Sequence, residues 1–186
     1  MICCLFDVPL SLWFHQNPHP VVTQFLLFIT HWHSTAGILS MTAVLGLWLW
    51  RRKLTAWLPL LLLTVPGGML LNVGVKHLVQ RARPQFDPPL VSLTSYSFPS
   101  GHTAGATVFY GFVAVLLLAH SGDRRWRHAI VPVAGVMVLL VGLSRIYLGA
   151  HYTTDVLGAM LEGGLWLALC LAALRRLGRR GSLKQP

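Results

Sequence analysis

Three short groups of residues in this 186-residue chain have types and spacings that suit phosphate chemistry. In the first, Lys76 and Arg83 stand seven positions apart and Pro84 follows directly. Seven residues make about two helical turns, so a helix running up to Pro84 would stack both cations on one face. Two permanent cations placed in that way repel each other unless an anion sits between them. In the second group, Pro99-Ser100-Gly101-His102, a Pro/Gly turn leads into an apolar run. Ser100 is the expected N-cap, and the free N–H groups behind it, beginning at Gly101, form an anion site. His102 then falls in the first helical turn, where it can donate or accept a proton near neutral pH. The third group is Ser144-Arg145, five residues, His151, three residues, Asp155. A carboxylate four positions after His151 can fix one ring nitrogen and leave the other facing outward, as in an activated nucleophile. Arg145 adds a guanidinium fork matched to phosphate oxygens.

Each group alone has an ordinary explanation: interface cations, a turn with a cap, a structural His–Asp bond. Together, three cations, a helix N-terminus and two histidines describe a phosphoryl-transfer site that works without metal or cofactor. Each cation at about 4 Å from a phosphate is worth a few kcal/mol in a partly buried setting. Spacing alone does not decide which histidine attacks, although orientation by Asp155 favours His151.

The elements that must carry these groups are membrane helices. Hydrophobic residues make up 54% of the chain and charged residues 11%, against about 25% charged in soluble domains. This composition excludes both an ordinary soluble protein and a disordered one. Five stretches, Ser34–Trp50, Leu54–Val75, Thr103–Ala119, Ala129–Leu143 and Thr154–Leu174, carry two acids, Asp155 and Glu162, both in the last, and no Lys or Arg. They predict an all-α fold: a polytopic bundle of five transmembrane helices, the fourth borrowing from Ser144–Ala150 to reach spanning length.

Eleven of the fifteen Lys and Arg residues fall in three clusters, Arg51–Lys53, Arg124–Arg127 and Arg175–Lys184, after the first, third and fifth spans. The positive-inside rule makes that side cytoplasmic, with Lys76, Arg81, Arg83 and Arg145 on the outer side. The clusters are membrane-flanking anchors, so the net charge of +10 does not point to nucleic acid. Residues 1–33 hold two apolar runs too short to span, Leu5–Phe14 and Val21–Ile29, expected as helices at the outer interface. The core occupies 34–177, and 178–186 is expected as a flexible basic cytoplasmic tail, the whole forming one domain. No cleaved signal peptide is expected. The three cysteines fit neither a disulfide framework nor a metal site. Arg81 is expected to contact headgroups, and His31, His33 and His77 to be interface histidines. Glu162 is expected to make a hydrogen bond inside the bundle.

The motifs identify the chain as resembling the type 2 phosphatidic acid phosphatase family, whose signature is Lys-x6-Arg-Pro, Pro-Ser-Gly-His and Ser-Arg-x5-His-x3-Asp. Every signature position is matched here. Soluble vanadium haloperoxidases and glucose-6-phosphatases share the signature, but five spans exclude the former. Relative to six-span members the chain lacks the first helix. The resemblance implies that His151 attacks phosphorus to form a phosphohistidine while Asp155 fixes its tautomer. It implies that His102 protonates the leaving oxygen and then activates water, and that Lys76, Arg83, Ser100, Gly101 and Arg145 hold the phosphate.

The short loop between Arg83 and Pro99 is similar to that of compact bacterial lipid phosphatases. The expected substrates are then phosphatidylglycerophosphate, undecaprenyl pyrophosphate or phosphatidic acid, hydrolysed at the periplasmic face of the bacterial inner membrane. A lipid phosphotransferase would use the same intermediate. A non-catalytic lipid-phosphate binder or transporter is the reading from another class, but no inverted repeat is visible in the sequence. Oligomeric state is not legible.

Overall fold

The computed structural model describes residues 2–86, 91 and 93–182. The described residues are all helical or irregular, in seven α-helices: α1 (Ile2–Gln16), α2 (Pro20–Trp32), α3 (Thr35–Arg51), α4 (Leu58–Val79), α5 (Gly101–His120), α6 (Arg124–Tyr147) and α7 (Thr153–Ser182). Sequence signals set most of the starts. Ser34 caps α3 by accepting from the Gly37 amide, Asp123 caps α6 through the Arg125 amide, and Pro20 and Pro59 stand in the first turns of α2 and α4, where a missing N–H costs nothing.

Among the described residues, four segments are long and apolar enough to cross a membrane: Thr55–Val79, Gly101–His120, Arg125–Tyr147 and Thr153–Leu174. The fourth predicted span did gain length from its C-terminal neighbours, since α6 continues to Tyr147. Helix α3, with 17 residues, sits at the lower limit of spanning length. Helix α7 is continuous through Ser182, past Gly178 where the sequence suggested a tail, and residues 183–186 lie outside the described residues.

Helix α5 is the axis of the bundle and packs on α3, α4, α6 and α7. Ala104, Ala106, Val108, Phe112 and Leu116 on it are buried, with Ile38, Leu49, Leu61 and Val65 across from them. Small residues let the backbones approach closely: a Cβ added to Gly142 would lie 2.6 Å from Val156, and one added to Gly163 2.9 Å from Thr107. Leu62, Leu70, Val133, Leu139, Leu161 and Leu169 point outward on other faces. That is the pattern of helices solvated by lipid, where an apolar exterior carries no penalty.

Alternating helix directions gather the site-bearing termini at one end of the bundle. There the Ser100 amide donates to the Asp155 carbonyl at 3.1 Å, joining the start of α5 to the start of α7. At the other end His120 lies 5.6 Å from Trp57, between the end of α5 and the start of α4. Trp166 ties α7 to α4 by donating to the Leu63 carbonyl at 3.1 Å.

Two expectations are corrected. Helix α4 ends at Val79, with Gln80 in the left-handed region at φ 51°, so Lys76 and Arg83 do not share a helix face; Arg83 stands on the irregular segment that follows. His33 is not an interface residue. It is buried, with Nδ1 against the Ile29 carbonyl and Nε2 against the Tyr110 hydroxyl, both at 2.7 Å.

Candidate active site

The turn between α6 and α7 places the third group. The amides of Ala150 and His151 both donate to the Arg145 carbonyl, at 3.0 and 3.2 Å, folding the turn over the end of α6. Gly149 permits this with φ +67°, a conformation that side chains disfavour, and a Cβ there would also meet the Phe86 ring at 2.9 Å. His151 is thereby buried at the mouth of the bundle, and Asp155 lies one turn later in α7.

His151 Nδ1 lies 3.4 Å from Asp155 Oδ2, longer than the usual N–H···O distance of about 2.7–3.2 Å. Contacts of this kind often tighten only once substrate binds. Three donors fix the carboxylate. Ser97 Oγ donates to Oδ2 at 2.5 Å and the Tyr152 amide to Oδ2 at 3.0 Å, while Arg81 Nη1 donates to Oδ1 at 2.6 Å. Ser97 Oγ also stands 3.5 Å from His151 Nδ1. On the other edge of the ring, Nε2 is 3.1 Å from Arg83 Nη1. An arginine has no lone pair to offer, so Nε2 is the accepting nitrogen and Nδ1 bears the proton. Burial pushes the imidazole down to about pKa 4, with Arg83, Arg145 and Lys76 acting in the same direction against the favourable Asp155 contact. The ring is neutral at pH 7 and presents a lone pair to the cations.

The cations converge from three elements. Arg83 is held on its irregular segment by the Ser95 carbonyl at 2.6 Å and the Ala150 carbonyl at 2.7 Å. Lys76, from the last turn of α4, reaches the carbonyls of Tyr96 at 3.0 Å and Pro99 at 2.5 Å. Arg145, from the end of α6, is buried; it donates to Thr30 of α2, and its Nε has no partner among the described residues. Ser100 stands at the N-cap of α5, but its hydroxyl accepts from Thr103 Oγ1 at 3.0 Å and makes no capping bond. The first intrahelical bond runs from the Ala104 amide to the Ser100 carbonyl, so the N–H groups of Gly101, His102 and Thr103 precede the ladder. His102 is half-buried in that first turn, within electrostatic reach of Arg145, His151 and Arg83. All eight residues singled out from the sequence stand at this one end of the bundle.

The sequence misassigned one residue here and overlooked two. Arg81 is no headgroup contact: it bridges Asp155 and Asp7, with Nη2 3.0 Å from Asp7 Oδ2, and its guanidinium lies over the Tyr152 ring at 4.3 Å. Burial works against its charge, but the two carboxylates outweigh it and raise its pKa. Asp7, buried on α1, was overlooked; a lone acid in an apolar run is the signal that it must have a partner. Ser97 gave no such signal. Glu162 makes the expected bond inside the bundle, accepting from Asn72 Nδ2 at 2.8 Å. A cavity of about 470 Å³ opens between α3 and α4, lined by Leu39, Met69, Leu70 and Val73 and ending on Lys76 and Gly101.

Residues 56–179 match the PAP2 superfamily. The chain belongs to that superfamily. Phosphatidylglycerophosphatase B of Bacillus subtilis is 37% identical over 146 residues, which cover 77% of this chain and 71% of the relative. Dolichyldiphosphatase 1 of Homo sapiens is 33% identical over 111 residues, 53% of this chain and 47% of that protein, so the chain spans about half its length. The crystal structure of a transmembrane PAP2-type phosphatidylglycerolphosphate phosphatase from Bacillus subtilis superposes with a TM-score of 0.82 at 32% identity, covering 90% of this chain and 84% of that one. LpxE from Aquifex aeolicus, at 22% identity and a TM-score of 0.68, shares the fold. PAP2 membership makes the chain a membrane phosphatase.

Proposed function

We propose that this PAP2 protein hydrolyses the phosphate headgroup of a membrane lipid through a phosphohistidine on His151. The observation that carries the reading is the disposition of that ring: Nδ1 faces Asp155 and Nε2 faces Arg83, with Lys76 and Arg145 in electrostatic reach. A phosphate drawn among these cations meets a neutral, pre-oriented nucleophile. Nε2 attacks phosphorus and the bond to the lipid oxygen breaks, with His102 giving its proton to that oxygen. His102 then takes a proton from water, the hydroxide attacks phosphorus, and the P–N bond breaks to free phosphate. Lys76, Arg83, Arg145, the Ser100 hydroxyl and the Gly101 N–H at the start of α5 stabilise the equatorial oxygens, where charge builds in the transition state.

The α3–α4 cavity gives the acyl or prenyl tail an apolar place beside the headgroup site. In this reading α3 is the first of five spans, α1 and α2 lie at the outer interface and the site faces the periplasm at the inner membrane; the clustering of Arg and Lys after the first, third and fifth spans supports it. The name of the relative phosphatidylglycerophosphatase B favours phosphatidylglycerophosphate first; undecaprenyl pyrophosphate second and phosphatidic acid third rest on the motif resemblance. The test is phosphate release by purified protein from each of these lipids with no acceptor present. Sustained release that vanishes in His151→Ala is expected, whereas release only on adding a lipid acceptor would mark a phosphotransferase. Lipid binding with no turnover would mark a binder.

A further inference from the structure

The signature accounts for Asp155 but not for what surrounds it on the side away from His151. There the structure has a second buried carboxylate, Asp7 of α1, joined to the first through Arg81 and Thr154. Asp7 Oδ1 accepts from the Thr154 amide at 3.0 Å, and its Oδ2 accepts from Thr154 Oγ1 at 2.5 Å and from Arg81 Nη2 at 3.0 Å. Arg81 Nη1 donates at 2.6 Å to both Thr154 Oγ1 and Asp155 Oδ1. Asp7 and Asp155 are 1% and 0% exposed, and Arg81 is the cation that bonds both carboxylates; buried charges call for such partners.

We propose that Asp7 and Arg81 form a positioning pair that fixes the orientation of Asp155 and keeps the carboxylate cluster one negative charge in excess, so that it supports the positive charge His151 acquires during attack. Arg81 alone would neutralise Asp155 and leave the ring facing a net-neutral pair. With Asp7 included, two carboxylates share one guanidinium, and the excess charge faces Nδ1. Both residues act through Asp155, and neither touches the reacting atoms. The proposal rests on the phosphohistidine reading.

Among the described residues, the other charged and titratable groups acting on His151 are Lys76 from α4, Arg83 from the connecting segment, His102 from α5 and Arg145 from α6. His33, after α2, acts on His102. The first four oppose a positive His151, and the Asp7–Arg81–Asp155 cluster is the counterweight.

The test uses full-length purified protein and p-nitrophenyl phosphate, with rate–pH profiles for the wild type, Asp7→Asn, Arg81→Met and Arg81→Lys. Asp7→Asn is isosteric and removes one negative charge. It should move the acidic limb of kcat/KM to lower pH by about half a unit to one unit and cut kcat by about tenfold or more, with KM within about threefold. Arg81→Met should lose more, and Arg81→Lys should recover part of that loss. A drop in kcat at every pH with an unmoved limb would reduce the pair to a structural clasp and overturn the proposal. If Asp7→Asn does not fold, Arg81→Lys decides: kcat within twofold of the wild type would equally overturn it. An inactive wild type, or an active His151→Ala, would instead sink the phosphohistidine reading beneath it.

Discussion

Arg83 Nη1 lies 3.1 Å from His151 Nε2, so the nitrogen assigned to attack phosphorus is occupied by a cation before substrate arrives. The same guanidinium is tethered to the Ser95 and Ala150 carbonyls, which hold it near the nucleophile while it changes partner from ring to phosphate. Arg83→Ala should therefore lower kcat/KM by at least about a hundredfold, the scale of losing one charged transition-state contact. Arg83→Lys should recover little, because a point charge replaces a fork. Steady-state kinetics on one lipid phosphate decide it, and full rescue by Lys would contradict the geometry.

The pH response of His151 has a definite sign. Its folded pKa, about 4, is below the 6.5 of an unhindered histidine, so between these values the unfolded chain holds a proton that the folded chain does not. Its contribution to stability is complete above about pH 6.5 and declines by about 1.4 kcal/mol per unit as pH falls towards 4. Activity should follow the folded value and fall only as pH drops through about 4, where Nε2 loses its lone pair. Denaturation midpoints in detergent, compared with His151→Gln, should show a shallower acid dependence in the variant. Identical slopes would exclude a buried neutral ring.

The two histidines should separate by leaving group. His102→Ala should still form phosphoenzyme from p-nitrophenyl phosphate, whose leaving group needs little protonation, and should lose nearly all turnover of a lipid alcohol ester. His151→Ala should abolish both. Equal losses in the two variants on the activated substrate would reverse or cancel the assigned roles.

Metal removal should have no effect. The groups assigned to the phosphate are cations and N–H donors, and Asp155 is committed to Ser97, Tyr152 and Arg81, which leaves no carboxylate set to hold Mg²⁺ among the described residues. Activity should survive EDTA, while vanadate, bonding to His151 as a trigonal-bipyramidal oxyanion, should inhibit. Strong Mg²⁺ dependence with vanadate insensitivity would contradict the site chemistry.

The sequence made the eight motif residues legible because their chemical types are unusual at membrane depth and recur at fixed spacings. It also made the helical bundle legible, because apolar length is a direct demand of the bilayer. It misplaced the end of α4, where Gln80 breaks the helix before Pro84 could, so an argument from helical spacing put Arg83 on the wrong element. Ser97 was invisible because a serine in a loop carries no charge or periodicity, and its partner Asp155 is 58 positions away. Arg81 was misread for a related reason: in a run of closely spaced cations, Lys76, Arg81 and Arg83, nothing local distinguishes the one that turns inward to two acids. His33 looked like a surface residue until Tyr110, 77 positions later, closed over it.

The contact between Asp7 and Thr154 also has a meaning in time. These residues are 147 positions apart, so the acid is synthesised long before its partner, with the hydrophobic segments of α2 to α6 made between them. Until α7 arrives, Asp7 has neither the Thr154 amide nor an Arg81 braced by Asp155, and a bare carboxylate stays where water can reach it. The end of the bundle that carries the candidate site is thus closed only once α7 is made, and an interrupted chain ending before Thr154 holds Lys76, Arg83, His102 and Arg145 without the Asp155 carboxylate that faces His151.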